Sequence, residues 1–196
     1  MNHLLVYAHP NPASFNHAIH DTIAQTLEAQ GHAVVVRDLY TLNFNPVLSG
    51  EDFAGLRSGT LPADIKAEQE HVAWADVISF VYPTWWVGMP AILKGYIDRV
   101  FSYGFAFSYG AEGPMGLLKG KKAFLVSTGG NPEQWYTAMQ EALHHTADGN
   151  LKFCGIEVLA HKYLHSVPSV DDATRHGMLA DVQALVQEVA TSSATM

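Results

Sequence analysis

Three short runs in this chain are apolar at nearly every position: residues 4–8 (Leu-Leu-Val-Tyr-Ala), 77–81 (Val-Ile-Ser-Phe-Val) and 123–126 (Ala-Phe-Leu-Val). A strand with one wet face alternates between apolar and polar residues. A strand that does not alternate is covered on both faces, as in a parallel sheet clothed in helices. Between these runs the period changes. Ile19, Ile23 and Leu27 recur at helical spacing ahead of Gly31, a stop signal, and a second β-branched run over 33–36 ends at Arg37-Asp38. Helices are expected over 63–75, over 91–101 behind Pro90, from about Pro132, and in the tail from Ser169, where Met178, Val182, Leu185 and Val189 form one stripe. A fifth strand begins at 156–159. Residues 39–61 read as an irregular connection, longer than a usual βα loop. Five strands alternating with five helices predict one doubly wound α/β domain over residues 1–196, a five-stranded parallel sheet with helices on both faces.

Composition narrows the function classes. A length of 196 residues supports one sizeable core. A formal charge of −8 leaves no basic excess to neutralise a nucleic-acid backbone. No apolar run approaches bilayer-spanning length and no export signal is visible, so a cytoplasmic protein without membrane insertion is expected. The single cysteine, Cys154, cannot form an intrachain disulfide and reads as a small buried hydrophobe rather than a reactive thiol. The eleven histidines look scattered, and His144-His145 lacks the spacing and third ligand of a zinc site, so no metal is expected.

In a doubly wound sheet, ligands bind outside the carboxyl ends of the strands. Three unusual loops fall there. The first, 9–16, carries His9, Ser14, Phe15 and Asn16 into the first helix but contains no glycine and no Walker lysine, so ATP and a Rossmann-type dinucleotide lose weight. Free helix N–H groups with Ser14 and Asn16 suit a phosphate, while simple N-capping explains the same residues equally well. The second, 82–89, places Trp85 and Trp86 in a turn stiffened by Pro83, Gly88 and Pro90; flat side chains there suit a planar ligand, with core packing as the alternative. The third, 127–131, offers the amides of Thr128, Gly129 and Gly130 to a polar ring edge, or is an ordinary turn. Together the three loops suggest a flavin.

Several stretches resemble the NAD(P)H:quinone oxidoreductases of the flavodoxin-like fold: His9-Pro10 with Ser14-Phe15-Asn16 and Ala18; Asp64 to Gln69; Pro90-Ala91-Ile92-Leu93-Lys94-Gly95 through Arg99-Val100-Phe101; and Ser127-Thr128-Gly129-Gly130. The resemblance implies strand order 2-1-3-4-5. It implies a flavin with its phosphates on His9, Ser14, Phe15 and Asn16. The ring would lie against Pro83, Thr84, Trp86 and Val87 with Trp85 in the same loop, and Thr128, Gly129 and Gly130 would meet its polar edge. Gln69 matches a position that helps hold the cofactor in larger members. Family members are usually homodimers with the active sites at the interface. Larger members bind FAD and several short relatives FMN; the Ser-Phe-Asn loop favours FAD, with FMN as the alternative. Tyr136 matches a tyrosine thought to steady the reduced ring. The partner histidine expected six residues later is replaced by Ala142, leaving His144 as the nearest candidate.

The implied activity is hydride transfer from NAD(P)H and two-electron reduction of a quinone or similar flat acceptor, with ping-pong kinetics. Azo- or nitroreduction shares that chemistry. Other readings are a one-electron carrier flavodoxin and a regulatory flavoprotein partnered with a glutathione-gated potassium efflux transporter. Tyr103, Phe105, Phe107 and Tyr109 alternate with small residues, a pattern that would roof the pocket, pack a dimer interface or form a short strand.

Overall fold

The computed structural model describes residues 1–135, 142 and 147–194. Its central sheet contains β1 (Asn2–Tyr7), β2 (Ala33–Asp38), β3 (Val77–Pro83), β6 (Lys122–Thr128) and β7 (Glu157–Leu164), in the order β2-β1-β3-β6-β7. Every pairing in it is parallel. With the small hairpin of β4 (Phe107–Gly110) and β5 (Gly113–Gly116) set aside, this is the expected 2-1-3-4-5 order.

Each central strand sends successive side chains to opposite faces. Leu5, Tyr7, Val81, Phe124 and Val126 meet α1 (Phe15–Ala29) and α6 (Asp172–Ala194), which bury Ile19, Ile23, Leu27, Val182, Val186 and Val189. Leu4, Val6, Ile78, Phe80 and Leu125 meet α3 (Ala63–Trp74), α4 (Ala91–Val100) and α5 (147–153), which bury Val72, Leu93, Tyr96, Ile97, Val100 and Leu151. Each such side chain contributes about 1.5–3 kcal/mol by leaving water. Two-sided coverage is why the strand runs lack alternation.

Three segments depart from expectation. Residues 39–61 are not wholly irregular: α2 (Gly50–Ser58) lies within them, started by a capping box of Ser49 and Asp52 and ended by Gly59 at φ 73°. The cap signature was present, but three glycines masked it. The alternating aromatics contribute β4, paired antiparallel with β5. β7 runs on to Leu164, past the polar His161 and Lys162, because an edge strand need not be apolar throughout.

The segment bearing α2 is held to the body by Gly95 and Arg99. A Cβ on Gly95 would stand 2.1 Å from the Pro46 carbonyl oxygen, so only glycine lets the loop lie directly on α4. Arg99 donates from Nε and Nη2 to Asp52 Oδ1, and from Nη1 to Asp64 Oδ2 and the Asn45 carbonyl. Among the described residues, no helix is long and apolar enough to cross a membrane.

His3 on β1 is 0% exposed, and among the described residues neither ring nitrogen has a partner. Burial, aided by nearby His32, lowers its pKa to about 4. The unfolded chain therefore binds a proton that the folded chain refuses. Stability is complete above about pH 6.5 and falls as pH drops toward 4, by roughly 3 kcal/mol if the burial cost is realised in full. In urea melts at pH 7 and pH 4.5, the pH-dependent loss should shrink in His3→Phe; an unchanged loss would assign the acid sensitivity elsewhere.

Candidate active site

The three loops meet. A cleft of about 350 Å³ at the carboxyl edge of the sheet is lined by His9, Ser14, Phe15 and Asn16, by Pro83, Thr84 and Trp85, by Thr128, Gly129 and Gly130, and by Val167 and Pro168. That volume lies within the range of small-molecule and cofactor sites.

The first wall is the start of α1. Ser14 is the N-cap, accepting from the His17 N–H at 3.2 Å, so the capping role is real. It leaves the Phe15 and Asn16 N–H groups without partners among the described residues. No acidic residue in the first turn opposes the positive helix end. His9 stands beside them, its Nδ1 3.1 Å from the Asn11 N–H and 3.2 Å from the Asn11 carbonyl oxygen, and burial holds its pKa below the ordinary value. Two free N–H groups and the helix dipole suit an anion without any glycine.

Two residues that line the cleft carry a buried side-chain oxygen unpaired among the described residues: Asn16 Oδ1 and Thr84 Oγ1. The Asn16 amide is held in place because its Nδ2 donates to Thr128 Oγ1 at 2.8 Å. Buried polar atoms without partners are rare, and their place here indicates a polar ligand. The donor set, flat wall and orphan atoms fit a flavin.

The second wall departs from the resemblance in detail. Trp85 and Gly88 exchange both backbone hydrogen bonds across a two-residue turn, with Trp86 at φ 51° and Val87 at φ 59°. That turn geometry favours Asn-Gly, and a β-branched residue at positive φ is strained by about 1–3 kcal/mol. The turn puts Trp85 on the cleft, while Trp86 is 100% exposed and Val87 lies outside the lining. Trp85 and His9 stand 6.1 Å apart, ring centre to ring centre.

The third wall is narrower in its chemistry than the sequence suggests. The Gly129 N–H is bonded to the Leu164 carbonyl at 2.9 Å and is therefore not available to a ligand. Gly129 is required for packing: an added Cβ would stand 1.7 Å from Tyr163 Oη. Gly129→Ala should displace the loop after β6 and destabilise the protein by about 1–3 kcal/mol, measured by urea denaturation. Gly130→Ala, with only a Pro168 carbon 4.0 Å away, should be close to neutral.

Val167 and Pro168 add a fourth carboxyl-end loop to the lining; they follow β7, whose polar second half hides the end of the strand in the sequence. Val167 N–H bonds to the Gly129 carbonyl, and Ser166 N–H to that of Asn131, joining the third and fourth loops. Gln69 is not brought to the cleft. It is buried behind α4, with its amide nitrogen donating to the Val100 carbonyl and Ser102 Oγ. Tyr136 and His144 lie outside the described residues. Cys154 is buried and its thiol is pushed up to about 11 by burial, as a structural cysteine should be.

A family model described as flavodoxin-like fold matches residues 1–186. An uncharacterized NAD(P)H oxidoreductase of Haemophilus influenzae is 40% identical over 183 residues, 91% of each chain. The human ribosyldihydronicotinamide dehydrogenase (quinone) is 35% identical over 200 residues, spanning 90% of this chain and 87% of its own. Among solved structures, the NAD(P)H:quinone oxidoreductase of Methanothermobacter marburgensis superposes with a TM-score of 0.86 at 29% identity, over 96% of both chains. A family match over residues 1–186 and likeness to these oxidoreductases over nearly the whole chain lead to one assignment: the chain belongs to the flavodoxin-like NAD(P)H:quinone oxidoreductase family.

Proposed function

We propose that this protein is an NAD(P)H:quinone oxidoreductase that holds a flavin, FAD in preference to FMN, in the cleft of the three loops. The observation that carries the reading is the cleft's pairing of an uncompensated helix N-terminus with two buried unpaired oxygens, Asn16 Oδ1 and Thr84 Oγ1. Bound there, a flavin would supply two-electron hydride chemistry between NAD(P)H and a flat acceptor. The net reaction is NAD(P)H, a proton and a quinone giving NAD(P)⁺ and hydroquinone.

The protein's part is binding and orientation. The Phe15 and Asn16 amides, with the His9 ring beside them, would hold the cofactor's phosphate. Trp85 walls the ring, while Thr84 and Asn16 meet polar atoms. One cleft serving donor and acceptor in turn gives ping-pong kinetics. The FAD preference rests on the Ser-Phe-Asn form of the first loop. Homodimerisation is supported by large apolar side chains left in water: Trp86 is fully exposed, and Tyr103 and Tyr109 stack on one another at 6.2 Å with more than half their surface open. Tyr136 and His144 remain the candidates for steadying charge on the reduced ring.

Cofactor released by heat should chromatograph as FAD, and sedimentation should give a dimer. Anaerobic titration with NADPH should bleach the visible flavin absorption in a single two-electron step. A flavin left oxidised by both NADPH and NADH would overturn the reductase reading. Released FMN would overturn only the FAD preference.

A further inference from the structure

We propose that the first two turns of α1 carry a binding site for a borderline-soft divalent cation of the zinc, nickel or copper class, with His17, His20 and Asp21 as its ligands. The histidines look scattered in the sequence, but helical spacing gathers these side chains. His17 and His20 are three residues apart, and Asp21 is four from His17, so all share one side of the helix.

One nitrogen from each ring and an Asp21 oxygen lie within 4.8 Å of one another. His20 Nδ1 is 2.9 Å and His17 Nε2 3.7 Å from Asp21 Oδ1. Ligands bound to one such ion at about 2.0–2.2 Å stand roughly 3–4 Å apart, so small rotations of the rings complete the triangle. The rings are already aligned, stacked at 5.3 Å with planes 22° apart. Both lean on the ring of buried Tyr7, 5.7 Å from His17 and 5.1 Å from His20. A β1 residue thus forms a rigid floor beneath the ligands.

His17 Nδ1 and His20 Nε2, the ring nitrogens turned away from Asp21, are enclosed, which leaves His17 Nε2 and His20 Nδ1 as the ring atoms open to an ion. The Asp21 side is open, its side chain 46% exposed, which leaves coordination positions for water or an exchangeable ligand. Two imidazoles and one carboxylate suit zinc, copper or nickel. Magnesium and calcium call for oxygen donors alone. The inference does not rest on the flavin assignment.

The test is a Zn²⁺ titration of the full chain without an affinity tag, following imidazole resonances by NMR, with bound zinc counted after dialysis. About one equivalent should be retained, with the His17 and His20 signals moving together. His20→Gln and Asp21→Asn should each weaken binding about tenfold or more, whereas His176→Gln on exposed α6 should not. Resonances of His17 and His20 that stay fixed up to one equivalent would overturn the proposal, as would His20→Gln binding zinc as tightly as the parent. The resonance readout uses the unaltered protein and so decides even if a variant fails to fold. Displacement of bound zinc by a modest excess of Mg²⁺ would overturn the assigned cation class.

Discussion

Replacing Arg99 by leucine should destabilise the protein by about 3–5 kcal/mol, the usual consequence of stripping one partner from a buried ion pair. Arg99 is the point where four stretches of chain converge: α4 carries it, α2 supplies Asp52, α3 supplies Asp64, and the preceding loop supplies the Asn45 carbonyl. The Arg99 and Asp52 side chains are only 5% and 6% exposed, so water cannot take over a lost partner. Burial alone would push the Asp52 carboxyl up, but Arg99 and the Ser49 cap outweigh it and hold the group below its ordinary value. That contribution is present above about pH 4 and is lost as pH falls through the lower folded value. Urea denaturation at pH 7 measures the cost. In Arg99→Leu the acid-dependent part attached to Asp52 should also vanish, and the double variant Arg99→Leu, Asp52→Leu should recover much of the loss. A cost below about 1 kcal/mol would mean that water, not Arg99, satisfies the carboxylates.

Asn16→Asp should separate folding from cofactor binding. The side chain keeps its shape, and Thr128 Oγ1, now 2.8 Å from an amide donor, can donate to the new carboxylate instead. A negative charge in the first turn of α1, which has none, favours the helix by about 0.3–1 kcal/mol, but Asn16 is only 4% exposed and burying a carboxylate there opposes that gain. The same charge would oppose the phosphate of the proposed cofactor, and at about 4 Å with an effective dielectric constant near 20 the repulsion is of order 4 kcal/mol. Flavin affinity, read by fluorescence as the cofactor dissociates, should fall about a hundredfold or more, with thermal melts of the flavin-free protein separating that loss from any cost to the fold. Unchanged affinity would move the phosphate away from Asn16.

The Trp85–Gly88 turn shows what pattern reading misses. Two adjacent tryptophans are plain in the sequence, but which one faces a ligand depends on two positive φ angles at Trp86 and Val87 that no residue type there announces. Gln69 shows the reverse: matched by motif to a cofactor-holding position, it is held by Val100 and Ser102 behind α4. The loop after β7 went unread because His161 and Lys162 broke the apolar run that marks a strand.

The sequence by itself determined the α/β class, the strand order through its family motifs, and the three loops that close on the cleft. Those follow from local chemistry: non-alternating apolar runs, helical spacing, and polar residues at strand ends. The tertiary structure alone decided which amides stay free, that the Gly129 N–H goes to Leu164 while its missing side chain makes room for Tyr163, and that Asn16 Oδ1 and Thr84 Oγ1 have no partner among the described residues. It also decided that Gly95 and Arg99 hold the α2 segment in place. These outcomes depend on contacts between residues far apart in the chain, and a hydrogen bond accepted by one distant group is denied to every other.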